Sequence, residues 1–556
     1  MYASGKLSKN DIPYLTGLVL AGLFLFLMYI WAMPLIDPDE PRYASTARDM
    51  VVNGNWIVPH FNGVPRINKP PLFYWTVALS YKMFGINEFS SRLPSALAAI
   101  GTAVITYAWR KRNHGKLQDR SAKDGFWAGV ILMTSPLFYF IARFCITDML
   151  LTFFISAAMY VFFVEYTEYT PAHESRRDKF KTLPLNRRLL LYFLLAMVFL
   201  VKGHVGILVF VLVTVCFLLL MRDFRYIRRV WYLPGFLLFL GIICAWGIPF
   251  WLSLGTQQIT SLLSQETSGR FVSGYAHPEP FYYYLPVLIM GFFPVSPFLF
   301  LVFAHSIKRK TSIPLEEKRH LCFFAAWFVL TLIIFSLSRS KLMTYILPLS
   351  PSVALLTSSF SRWEMDNRLG KWTTRVVWFI LTVAILVPVV LFATMHTWIP
   401  AKYGFSTSHA AIPLGIFFMG MLAALFAFFR ERRFFPLQKV FCVTNGIFLT
   451  MTIVYSSYSL GTFRSTKDIV NKCLSDKITD YTLLNYSRID SSLVFYSGKD
   501  VREVDKESPN EEFLPKSNEP VYLVMSLRDY TKKKNWIQAM DFHVDCQNNT
   551  HVVLTK

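Results

Sequence analysis

Charge is what this sequence has least of. Only 17% of its 556 residues are Asp, Glu, Lys or Arg, against 54% that are hydrophobic, a balance that excludes a soluble globular protein of this length. Cysteine is also scarce: the seven residues include no C-x-x-C pair, which argues against a thiolate zinc site. No internal repeat relates one half to the other, as it does in many secondary transporters. What is present is a series of apolar segments, each about 17–25 residues long as a bilayer core requires. Thirteen can be read, near residues 13–34, 93–109, 125–142, 148–164, 188–201, 204–221, 231–254, 281–303, 320–338, 343–361, 376–395, 410–429 and 438–460. The first lies in an uncharged run from Ile12 to Ile36. It is longer than a signal-peptide core and has no clear small-x-small exit, so it reads as a retained anchor.

The formal net charge of +22 is unevenly spread. "WRKRNHGK", "ESRRDKFK", "RDFRYIRR", "IKRK" and "RERR" all fall on the N-terminal side of the membrane, with few basic residues opposite. This positive-inside pattern makes the N-terminus cytoplasmic and the basic charge topological, not a nucleic-acid surface. An odd number of spans sends residues 461–556 to the far side, periplasmic in a bacterium. That stretch holds 14 basic and 14 acidic residues and alternating runs such as "PVYLVMSL", the pattern of a small α/β domain. The division expected is a membrane domain over 1–460 and a soluble domain over 461–556. Cys473 and Cys546 both fall in the latter, as a disulfide or as two thiols.

Against so apolar a background, the polar residues of the far-side loops stand out. "PLIDPDEPRYAST" (34–46) sets Asp37, Asp39, Glu40 and Arg42 where the first span ends, and from Pro41 onward it suits a short interfacial helix. Arg143 and Asp148 in "RFCITDML", Lys202 and His204 in "VKGHVG", Arg270, and Arg339 with Lys341 follow in other loops. Each has a plainer explanation. Asp37 can be a solvated helix-end charge; Asp39 and Glu40 can be neutralised by Arg42 and Arg48; Lys202 can snorkel to headgroups. His60, His204, His277 and His409 have no metal-type spacing. Yet ionisable groups at membrane depth are functional candidates, and together these would suit an anionic ligand held beside carboxylates.

At "DPDEPRYA" and "GNWIVPHFNGVPRINKPPLFYW" the chain resembles the bacterial lipid A aminoarabinose transferases, members of the protein mannosyltransferase-like membrane glycosyltransferases of C-type (GT-C) fold. "SRLPSAL", "TDML", "KG", "GRF" and "SRSKLMTYILPLSP" follow in the family's order. The likeness is good over residues 30–350 and is one of layout beyond. It implies an α-helical polytopic membrane protein with about 13 transmembrane helices, periplasmic interfacial helices and a small C-terminal periplasmic α/β domain. By position it implies Asp39, Glu40 and Asp148 as catalytic carboxylates, and Arg42, Tyr43, Lys69, Lys202, Arg270, Lys341 and Tyr345 as substrate-binding.

The resemblance further implies inverting transfer of 4-amino-4-deoxy-L-arabinose, or a related amino sugar, from undecaprenyl phosphate to lipid A, by a monomer in the bacterial inner membrane. Two positions that can hold a divalent metal in the family read Asn68 and Thr267 here, so the sequence calls for no metal. A same-fold transferase moving another hexose or hexosamine to lipopolysaccharide, glycan or protein fits the same residues. A flippase for lipid-linked sugars is the competing class, opposed by the odd span count and by charges gathered at one face.

Overall fold

The computed structural model describes the chain except residues 1–8, 113–117, 175–184, 259, 261–277, 309–314, 364–370, 404–410, 432–433, 464, 477–480 and 506–518. Helix α1 (Asp11–Leu27) stops well before the apolar run does, and the chain turns through Tyr29 at a φ of 58°. The cause is competition for its carbonyls. Arg143 donates to the carbonyls of Leu25 and Met28, and Arg92 to those of Ile30, Met33 and Pro34, so continuing the helix would forfeit these charge-assisted bonds.

Helix α2 (Asp39–Asn53) then opens the first external loop and ends at Gly54 in the left-handed conformation, where a side chain would be strained. Strands β1 (His60–Phe61) and β2 (Val64–Pro65) form a hairpin. Its Asn62-Gly63 turn has φ of 57° and 73°, the pair of positive angles that a two-residue turn matching strand twist demands. Helices α3 (Leu72–Phe84) and α4 (Glu88–Arg112) lead back into the bundle.

Helices α5 (Gln118–Met133) and α6 (Pro136–Ala142) form a pair bent by 73°, followed by α7 (Thr147–Glu174), α8 (Leu185–Lys202) and α9 (His204–Leu220). A Cβ on Gly125 of α5 would lie 2.8 Å from the Tyr107 carbonyl of α4. Only glycine permits that approach, a common device where membrane helices cross closely. Deeper in the bundle, the buried Trp109 ring meets Tyr160, Phe163, Phe323, Phe324 and Trp327 at centroid distances of 5.4–5.7 Å. Such ring packing supplies the helix association that lipid, itself apolar, does not.

By length and composition, six helices among the described residues can cross a membrane, or eight if each of two bent pairs is one span. Two shorter apolar helices, α1 and α9, stand beside them. The sequence reading of thirteen also included 93–109, 188–201 and 343–361. Those segments are helical but carry buried or terminal charges, as in α4 and α8, or begin as a 3₁₀ turn, Met343–Leu349, before the helix Ser350–Trp363.

After the helix Phe434–Phe463 the chain forms a five-stranded sheet in the order β4-β3-β5-β7-β6. Its members are β3 (Thr482–Tyr486), β4 (Val501–Val504), β5 (Val521–Ser526), β6 (His543–Gln547) and β7 (His551–Thr555). The first three run parallel, the last pairings antiparallel. Alternation makes two cores: Leu484, Leu523 and Leu554 pack with Ile537 and Phe542 on one face, and Leu483, Val524 and Val553 with Ile469 and Leu493 on the other. A disulfide joins Cys473 to Cys546. The short helix Ser491–Ser497 packs on α2 and brings this sheet down onto the first external loop.

Candidate active site

The four charges of the first loop have four different surroundings. Asp37 is not a solvated helix end. Its carboxylate accepts the Ser492 N–H at 2.8 Å and the Ser492 hydroxyl, tying the loop to the C-terminal sheet domain. Burial pushes its pKa up to about 6, with the Ser492 bonds opposing the rise and Asp490 adding to it. Neighbouring contacts repeat the tie. The Leu35 N–H donates to the Tyr496 hydroxyl, which donates to Glu88, and Arg48 donates to the carbonyls of Val494 and Phe495. Asn62 pairs with both backbone groups of Val501.

Glu40 is wholly enclosed. Arg92 grips both its oxygens, at 2.9 and 2.8 Å, while the N–H groups of Ile36 and Cys145 donate to the same oxygens. Both side chains are 1% exposed. The sequence expectation set Glu40 against Arg42 or Arg48 and among the catalytic carboxylates. Here it fastens the end of α1, the start of α2 and the α6–α7 turn, so it is a positioning residue.

Asp39 is the open member of the pair, its side chain 55% exposed and 3.9 Å from Arg42. One turn on, Tyr43 is buried with its ring stacked on Tyr74 and edge-on to Phe73, at 5.8 and 5.6 Å. The Arg66 guanidinium covers it at 4.6 Å, a favourable cation–π placement. Burial raises the Tyr43 phenol far above its ordinary pKa; Arg66 opposes the rise, while Tyr74, Asp39 and Asp148 add to it. Asp39 and Asp148 both lie within electrostatic range of the Tyr43 phenol.

Asp148 sits in the first turn of α7 and meets Lys202, the last residue of α8, at 2.5 Å. Both side chains are 9% exposed, so Lys202 does not snorkel into headgroups. Its ammonium also lies 4.5 Å above the Tyr345 ring. Three widely separated loops therefore deliver Asp148, Lys202 and Tyr345 to one place.

Lys341 is buried and turned toward backbone, donating to the carbonyls of Glu279 at 2.9 Å and Ser338. Desolvation lowers its pKa, opposed by Glu279. Lys69 is half-buried in the loop after β2, and Arg270 lies outside the described residues. The same holds for Thr267, His277 and His409. At the other family metal position, the Asn68 carboxamide accepts from Arg66 Nε at 3.4 Å. A neutral oxygen facing a guanidinium does not suit a divalent cation, which takes anionic oxygen ligands. Among the described residues no group of three or more His, Cys, Asp or Glu is placed to hold a metal.

Sequence reasoning assigned no role to Arg66 or Arg92, although both lie in quoted motifs, "VPRINKPP" and "SRLPSAL". The available signal was their position: an arginine three residues before Lys69, and one at the membrane boundary of an apolar helix.

A helical membrane protein that brings carboxylates, ammonium groups and phenols together beside a small sheet domain has the C-type (GT-C) fold. The crystal structure of ArnT from Cupriavidus metallidurans bound to undecaprenyl phosphate matches it with a TM-score of 0.78, over 98% of each chain at 20% identity. Residues 18–263 match the family model described as dolichyl-phosphate-mannose-protein mannosyltransferase. An Aquifex aeolicus protein is 30% identical over 347 residues, 61% of this chain and 72% of that one. The undecaprenyl phosphate-alpha-4-amino-4-deoxy-L-arabinose arabinosyl transferase of Aeromonas salmonicida is 28% identical over 375 residues, 64% of this chain and 60% of its own length. The match with that curated transferase thus spans less than two thirds of its length. The chain belongs to the protein mannosyltransferase family of C-type membrane proteins.

Proposed function

We propose that this protein transfers 4-amino-4-deoxy-L-arabinose, or a related amino sugar, from a polyprenyl phosphate donor, in the undecaprenyl form, to lipid A. The observation that carries the reading is the convergence of Asp148, Lys202 and Tyr345, with Tyr43 within electrostatic range of both Asp148 and Asp39. An anionic phosphate must leave and a cationic amino sugar must be held, and this space offers both signs of charge. The donor-name correspondence with the Aeromonas protein supports the sugar and the carrier.

In the reaction, an acceptor phosphate oxygen forms a bond to the anomeric carbon as the bond from that carbon to the donor phosphate oxygen breaks. Undecaprenyl phosphate leaves with the electron pair, and attack from the opposite face inverts the anomeric centre. A phosphate acceptor is already anionic and needs no deprotonation, so Asp39 binds the ammonium of the amino sugar or orients the acceptor. Lys202 is held by Asp148 at the rim, and Lys69, Arg270 and Lys341 are the cations for the donor phosphate; fixed donors of this kind stabilise developing charge by several kcal/mol in a partly dry site. Arg42, Tyr43 and Tyr345 line the space.

The same reading divides the chain at about residue 460 into a membrane domain and a periplasmic domain. It places the protein as a monomer in the bacterial inner membrane, with a cytoplasmic N-terminus and about thirteen spans. Mass analysis of lipid A from cells with and without the gene tests the function. An aminoarabinose increment present only with the gene is expected, and identical spectra from cells making both substrates would defeat it.

A further inference from the structure

Among the arginines of the external loop region, Arg66 is unlike its neighbours. Arg92 and Arg143 have carbonyl or carboxylate partners on both terminal nitrogens, and Arg48 donates to two carbonyls. Arg66 is 9% exposed, and its Nη1 is buried with no hydrogen-bond partner among the described residues. Its face is covered by Tyr43 at 4.6 Å and Tyr74 at 5.8 Å. Among the described residues no carboxylate lies within ion-pairing distance of it. A guanidinium with a dry, unfilled donor is costly unless something supplies an acceptor.

Two further arginines lie within electrostatic range of this corner, with Asp39 and Asp490 as the acids beside them. Arg42, half-buried one turn into α2, has its pKa lowered by burial first, then by repulsion from Arg66 and from Arg488, with Asp39 opposing. Arg488 comes from the C-terminal domain, just beyond β3 and four residues before the Ser492 that holds Asp37. Its side chain is exposed, whereas Arg42 is half-buried and Arg66 buried. Three guanidiniums against the carboxylates of Asp39 and Asp490 still leave an excess of positive charge, and arginine forks match phosphate oxygens in pairs.

We propose that Arg66, flanked by Arg42 and by Arg488 of the C-terminal domain, is the subsite that receives a phosphate group of the acceptor glycolipid. The proposal rests on the transferase reading above for the identity of the acceptor. It gives the C-terminal domain a direct part in acceptor binding, and it separates two anion sites: this one at Arg66, and the donor site by Lys202 and Tyr345.

The test uses the full-length protein in nanodiscs, with Arg66→Gln and Arg488→Gln made separately, the second at an exposed position that leaves the fold intact. Binding is measured for bisphosphorylated lipid A, for lipid A with both phosphates removed, and for undecaprenyl phosphate. Each variant is expected to bind the bisphosphorylated lipid about tenfold or more weakly, the size of one lost charge-assisted contact, with undecaprenyl phosphate binding and binding of the dephosphorylated lipid unchanged. Wild-type affinity for lipid A in both variants would overturn the proposal, as would a loss that falls on undecaprenyl phosphate instead. Turnover of wild-type protein with an aminoarabinosyl donor is followed in parallel. Its absence removes the proposed activity, whereas the binding comparison decides the subsite independently.

Discussion

Asp39 and Glu40 are neighbours in sequence with nearly the same chemistry, yet the fold separates them completely. Glu40 points inward, where Arg92 and two backbone N–H groups take up its oxygens. Asp39 points outward, with one arginine 3.9 Å away. A buried carboxylate with every acceptor site filled can only hold structure, whereas an exposed one beside a buried phenol and an arginine cluster can meet a ligand. Adjacent acids on a helix fall about 100° apart, so one is directed to the core when the other faces outward.

Breaking the inward member should have the largest effect. Glu40→Ala strands Arg92 as an uncompensated buried cation, and about 3–5 kcal/mol of stability should go with it. Thermal unfolding of the purified protein in detergent reads this, and a melting temperature equal to wild type would show that the pair holds nothing together. Breaking the outward member should leave stability alone and remove turnover. Asp39→Asn is expected to fold normally and to transfer sugar on the order of a hundredfold more slowly, the loss that misplacing a bound reactant produces. Near-normal turnover of folded Asp39→Asn protein would take Asp39 out of the chemistry.

The smallest effect sharpens the contrast with the third acid, Asp37. Its pKa is about 6 when docked against Ser492, above the ordinary 3.8. A raised value means that docking is fully stabilised below pH 3.8 and loses stability as pH climbs through about 6. The rise from 3.8 to about 6 corresponds to about 3 kcal/mol, and solvent screening of this half-buried group brings it to roughly 1–2 kcal/mol. Amide exchange over residues 491–497 should therefore quicken between pH 4 and pH 7 beyond its intrinsic pH dependence. The excess should vanish in Asp37→Asn; if it persists there, another group governs the docking.

Much of the architecture could be read from the chain alone, because apolar runs of bilayer length and a charge-balanced, alternating tail are properties of composition and period. The short helix in the first loop and the sheet of the tail follow from local chemistry in the same way. The end of α1 did not, since it is set by Arg92 and Arg143 reaching its carbonyls from more than fifty positions away. Nor did the partner of Glu40, because any of several nearby arginines satisfied the pattern and only the packing of α4 against the loop selects one. Asp148 and Lys202 were each legible as polar groups out of place, but 54 residues separate them and only folding makes them a pair. Arg66 was hidden by its neighbours: within "VPRINKPP" the lysine drew the attention, and its missing hydrogen-bond partner is a property of three dimensions.

The bond from Ser492 to Asp37 spans 455 positions, which orders events during synthesis. The acidic loop is therefore synthesised long before the residues that brace it. A nascent or prematurely terminated polypeptide therefore carries the acids without their brace.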